Sequence, residues 1–140
     1  MKKLNKITGW LIPVLIILIY SALSNSYILI QKFNAILYQP AASGVYLTAA
    51  LLALYLIFLW LTVAFIFLKK KKAKTAFLFT AVFGTIFSFW YYLVGQFIYY
   101  SYKAEFIITY NLPMVLVNLA ITIAILLYFS KSKKLNQTLK

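Results

Sequence analysis

An all-α integral membrane bundle of four transmembrane helices, both termini cytoplasmic, is the fold class this sequence predicts, and three observations predict it. Of the 140 residues, 65% are hydrophobic and only 11% charged, well under the quarter usual in a soluble domain. Four apolar runs are each about twenty residues or longer, enough helix to cross roughly 30 Å of hydrocarbon. The lysines gather on alternate connections between those runs, the pattern that positive-inside threading produces.

Residues 8–30 form the first predicted crossing, after the basic start Met1-Lys2-Lys3-Leu4-Asn5-Lys6. Pro13 falls in its first turns, where a missing amide donor costs little. A cleavable signal peptide is the competing reading, since Ala22-Leu23-Ser24 makes a small-x-small site behind about ten apolar residues. Apolar residues resume at Tyr27-Ile28-Leu29-Ile30, which favours an uncleaved anchor. Residues 31–43, with Lys32 and Pro40, read as an external loop lying partly in the interface, with a short interfacial helix as the alternative.

Residues 45–68 are the cleanest apolar run, without glycine or proline, and much of this second helix is expected to face lipid. Lys69, Lys70, Lys71, Lys72 and Lys74 follow and hold the central connection on the cytoplasmic side. The third crossing is predicted over 76–99. A short external loop around Lys103 and Glu105 leads into the fourth, 108–129, with Pro113 near its start. Residues 130–140 form a basic tail carrying Lys131, Lys133 and Lys134. All lysines except Lys32 and Lys103 thus fall on one side. Tyr38, Tyr46, Tyr99, Tyr100, Tyr102 and Tyr110 gather at the opposite, outer ends, where a ring can sit among headgroups with its hydroxyl wet.

Composition removes most chemistry. A net charge of +13 would elsewhere suggest nucleic acid, but these lysines adjoin membrane spans and cannot wrap a duplex, so no nucleic acid is expected. Anionic lipid at the cytoplasmic face is the expected partner of the lysine clusters. With no cysteine and no histidine, disulfides, thiolate nucleophiles, imidazole bases and the zinc or haem sites built on them are absent. Glu105 is the sole acidic residue, and no serine or threonine has a credible catalytic partner, so no enzyme activity and no cofactor are expected.

The remaining candidates are polar residues within the spans. At 100° per residue, Thr80, Gly84, Ser88, Tyr91 and Gly95 share an arc of the third helix, as do Ser21, Ser24 and Asn25 on the first and Asn111, Asn118 and Thr122 on the fourth. An interhelical polar seam through Ser21, Asn25, Gly84, Ser88, Tyr91, Asn118 and Thr122 is expected, linking helices one, three and four. It serves either as packing glue or as a site for a polar solute or lipid headgroup.

Gly9-Trp10-Leu11 opening the first crossing, the basic central connection, and the ending Tyr128-Phe129-Ser130-Lys131-Ser132-Lys133-Lys134-Leu135-Asn136-Gln137-Thr138-Leu139 together resemble a family of small four-helix bacterial inner-membrane proteins, the domain of unknown function 2569. The family's prolines after a serine in the first crossing and before Tyr128 are missing, and lysine stands where arginine is usual. The resemblance implies four helices in a bacterial membrane and brings no activity, substrate or catalytic residue. The expected function is therefore that of a binding or accessory protein for a larger membrane partner, or of a self-associating chain. The alternatives are a small transporter or channel for a polar solute, disfavoured by the lack of embedded charge, and a membrane immunity protein against a toxin or peptide.

Overall fold

Between Pro13 and Pro40 the sequence has neither glycine nor proline, so nothing in it stops a helix at Ile30. The first helix accordingly continues well beyond the predicted crossing. The structure is a computed structural model that describes residues 9–38, 43–95 and 103–139, the side chains at 35–38, 43–45, 134, 135 and 138 excepted. Its elements are α1 (Leu11–Tyr38), α2 (Ser43–Phe67), α3 (Lys72–Phe89) continued by a π-helical turn (Trp90–Val94), α4 (Ala104–Phe106) continued by a second π turn (Ile107–Asn111), α5 (Leu112–Lys131) and α6 (Lys133–Thr138). Among the described residues there is no strand, and four helical stretches are long and apolar enough to cross a membrane: Leu11–Asn34, Tyr46–Phe67, Lys72–Val94 and Ala104–Lys131. The chain is a multi-pass membrane protein of helical-bundle class.

Several predicted boundaries are corrected. Most of the loop expected at 31–43 is helix, and α1, with 28 residues, is about 42 Å long, more than a crossing of roughly 30 Å requires. The fourth crossing begins at Ala104, placing Pro113 well inside it. The π turn immediately before Pro113 shifts the backbone hydrogen bonds, which lets the helix carry a residue lacking its N–H. Glu105 lies in the first turn of that crossing, the favourable end of the helix dipole for an acid. The tail is largely helical as well. The N-terminal lysines, the rings of Tyr38, Tyr99, Tyr100 and Tyr102, and the Lys134 side chain lie outside the described residues.

The central lysine connection shortens to residues 68–71. Lys70 N–H donates to Phe65 O at 2.8 Å and Lys69 N–H to Ile66 O at 3.0 Å, the double closure of a Schellman turn. Lys69 occupies its left-handed position, with φ of 53°. So tight a turn sets α3 antiparallel against α2.

α2 is the centre of the bundle, packed on α3 and α1, while much of its remaining surface, including Leu47, Leu54, Ile57 and Leu61, stays exposed as expected. Its sequence shows why. Thr48, Leu52, Tyr55, Leu59, Thr62 and Ile66 alternate steps of four and three, and all are buried except half-buried Tyr55. On α3, Ala73, Phe77, Thr80, Gly84, Phe87 and Tyr91 follow the same rhythm. Two such 3.5-residue stripes mesh like a coiled-coil seam. Phe58 stacks on Phe83 and Phe79 beside it, with centroids 5.4 and 5.1 Å apart. The fourth crossing is joined chiefly to α3, with Phe129 stacked on Phe77 at 5.2 Å. At the lysine end, Lys74 Nζ donates to Asn136 Oδ1, and Leu139 is fully buried in the same apolar cluster as Ile66, Ala73 and Phe129.

Candidate functional site

The predicted seam separates into three places. On α1, Asn25 Nδ2 donates to the Ser21 carbonyl at 2.8 Å, so this amide is satisfied by its own helix. The α1 surface packs on α2, with Trp60 Nε1 donating to Ser26 Oγ at 3.2 Å, and Ser21 and Asn25 are not brought to the other seam residues. The physical reason is α2, whose packed faces take both neighbours. Tyr91 turns toward α1, where Lys32 Nζ stands 5.4 Å from its ring centroid, within cation–π range. Gly84 accommodates α2: a Cβ added there would lie 2.8 Å from Cε2 of Tyr55, so the missing side chain makes room for a ring and not for a helix backbone.

Ser88, Asn118 and Thr122, by contrast, do converge. With Gly84, Thr85 and Val115 they line a cleft of about 20 Å³ between α3 and α5. Thr122 Oγ1 donates to the Asn118 carbonyl at 2.8 Å, which leaves the Asn118 side chain free of that contact. A wider groove of about 350 Å³ adjoins the cleft and shares Thr85, Leu119 and Thr122 with it; its other walls, including Leu78, Ile86, Ile123 and Leu126, are apolar. Thr85 and Asn118 each lie about 20 Å along their helices from the lysine end, inside the hydrocarbon by helix rise. No charged residue lines either space.

Sequence reasoning missed the polar contacts that tie α2 to α3. Thr62 Oγ1 and Thr80 Oγ1 lie 3.2 Å apart in the buried interface, while each also reaches a carbonyl of its own helix, Phe58 O at 2.8 Å and Ala76 O at 2.9 Å. Two hydroxyl protons therefore serve three contacts, and one of them is shared. Near the end away from the lysine turn Trp90 Nε1 donates to Thr48 Oγ1 at 3.0 Å. The available signal was spacing, because Thr48 and Thr62 stand two heptads apart on a helix with little else to bond. Asn111, grouped with Asn118 by helical arithmetic, instead donates from its π turn to the Tyr92 carbonyl of the other π turn at 2.9 Å.

Among the lysines, Lys70, Lys71, Lys72, Lys131 and Lys133 are exposed and Lys69 and Lys74 half-buried. The Lys74–Asn136 bond gathers loop and tail lysines at one end of the bundle. Among the described residues no group of acidic side chains could hold a metal ion. No family model matches the chain, and neither a curated protein nor a solved structure matches it.

Proposed function

We propose that the chain is a non-enzymatic binding or accessory protein of a bacterial cytoplasmic membrane, threaded with both termini inside, that associates laterally with a larger membrane partner or with itself. The observation that carries this reading is the one-sided attachment of the fourth crossing. Only 17% of its most apolar window is buried, against 33% for α2, and Leu116, Val117, Ile121 and Leu127 form an open apolar face. In lipid such a face is free to gain close packing against another helix. The lysine end supports the threading and supplies a surface for anionic headgroups, each lysine near a charged leaflet contributing about 1 kcal/mol. The likeness to the domain of unknown function 2569 rests on Gly9-Trp10-Leu11, the basic central connection and the basic ending, and Gly9 has a structural reason: at φ of 70° it turns the chain into α1.

A photoreactive residue at Val117, in native membranes, tests the association. A discrete crosslinked complex from Val117, absent when the photoreactive residue stands at Ile57 on the exposed side of α2, is the expected result. Monomer alone from both positions defeats the reading.

A further inference from the structure

We infer that the cleft between α3 and the fourth crossing is a lateral binding site for an uncharged amphiphile, a lipid-phase molecule with one hydrogen-bonding end and an apolar body. This site is separate from the outer face of α5 and holds whether or not a protein partner docks there.

Three side chains specify the polar end. Neither the Ser88 and Thr85 hydroxyls nor the Asn118 carboxamide hydrogen-bonds through its side chain to any described residue, and all three line the same small cleft. In hydrocarbon, where water does not compete, polar groups gathered at one spot favour a partner that can both donate and accept. About 20 Å³ admits a group the size of a hydroxyl or carbonyl oxygen and nothing as large as a phosphate. The absence of any lysine or acid around it selects an uncharged group, because a charge at that depth would be unpaired. The adjoining groove specifies the rest. Its volume of about 350 Å³ lies within the range of ligand pockets, its walls are almost wholly apolar, and it opens sideways to the bilayer. A polar notch at the edge of an apolar groove matches a long-chain alcohol or a quinone better than a protein helix, which would need the groove to run on as a continuous ridge-receiving surface.

The test uses the full chain in nanodiscs with a diazirine-bearing hexadecanol, the labelled peptides being identified by mass spectrometry. Labelling is expected in α3 and α5, with the α2 face around Ile57 as background, and unlabelled hexadecanol should compete it away while hexadecane and palmitate should not. A short-chain isoprenoid quinone in place of hexadecanol distinguishes a carbonyl-bearing ligand from a hydroxyl-bearing one; competition by either supports the site. Asn118→Leu should lower specific labelling about five-fold, the loss of one neutral hydrogen bond, and Ser88→Ala, which leaves helix propensity intact, keeps the test valid if the first variant folds poorly. Equal competition by hexadecane, labelling spread evenly over the lipid-facing helices, or undiminished labelling in both variants would overturn the inference. A single-cysteine variant, Thr122→Cys in this cysteine-free chain, covers the remaining occupant: disulfide-linked dimer in native membranes would assign the groove to a second copy and also overturn it.

Discussion

At the residue scale, the most informative position is Lys69, a lysine where the turn geometry prefers glycine. A side chain with φ of 53° costs about 1 kcal/mol relative to glycine, and the chain keeps it in a turn rich in lysine. Lys69→Gly should therefore raise unfolding stability in mild detergent by about 1 kcal/mol; an unchanged or lowered stability would mean that the Lys69 stem contributes packing that the Schellman geometry does not reveal. The buried Thr62–Thr80 pair makes a second prediction of small size. Because each hydroxyl also reaches its own helix, replacing either by valine leaves the partner bonded, and the coupling energy from a Thr62→Val/Thr80→Val double-mutant cycle should be about 0.6 kcal/mol. A coupling of several kcal/mol would show that the pair is the principal lock between α2 and α3.

Between elements, the tightest constraint is the crossing of Tyr55 over Gly84. Its ring also lies parallel to Phe87, centroids 6.4 Å apart, so it has little freedom to withdraw. Gly84→Leu should cost about 1–3 kcal/mol in thermal or denaturant unfolding, and Ile57→Leu, on an exposed face, almost nothing. Adding Tyr55→Leu to Gly84→Leu should recover part of the loss, since the clash is with that ring; no recovery would place the obstruction elsewhere. The existence of four crossings was legible in composition and run length, whereas their ends were not. Hydropathy marks what the bilayer requires, but α1 runs on to Tyr38 because residues 31–38 contain no breaker, and the fourth helix starts before Pro113 because a π turn absorbs it. The polar seam was half legible for a related reason: Ser88, Asn118 and Thr122 share a cleft as helical arithmetic suggested, while Ser21 and Asn25 were assigned a partner by depth alone, without knowing that α2 stands beside them.

For the whole molecule, the difficulty is that lipid and protein interior are equally apolar. In water, an apolar stripe identifies the buried face of a helix; here Ile57 on the lipid side and Leu59 in the core are indistinguishable by type, and only the alternating three-and-four spacing from Thr48 to Ile66 separates them. Charge remains readable because no lysine can rest in hydrocarbon, and the proposed threading rests on it. Two ends of the bundle differ sharply. One carries the Lys69–Lys74 turn and α6, tied by the Lys74–Asn136 bond and by buried Leu139; the other carries Lys32 beside Tyr91, Lys103 and the exposed rings of Tyr46 and Tyr110. A phosphatase reporter that works only outside the cytoplasm should be silent when fused after Lys72 and active when fused after Lys103. The reverse pattern would invert the orientation and, with it, the proposed anionic-lipid surface. Replacing Lys70, Lys71 and Lys72 by glutamine should weaken the bias without changing the helices, because these three side chains are exposed and the Schellman closure uses only backbone groups. The expected result is a mixed population, with the Lys72 fusion gaining some activity and circular dichroism unchanged. Retention of a single orientation would show that the α6 lysines and the N-terminal ones suffice, and that the central run was kept for its contact with the membrane surface.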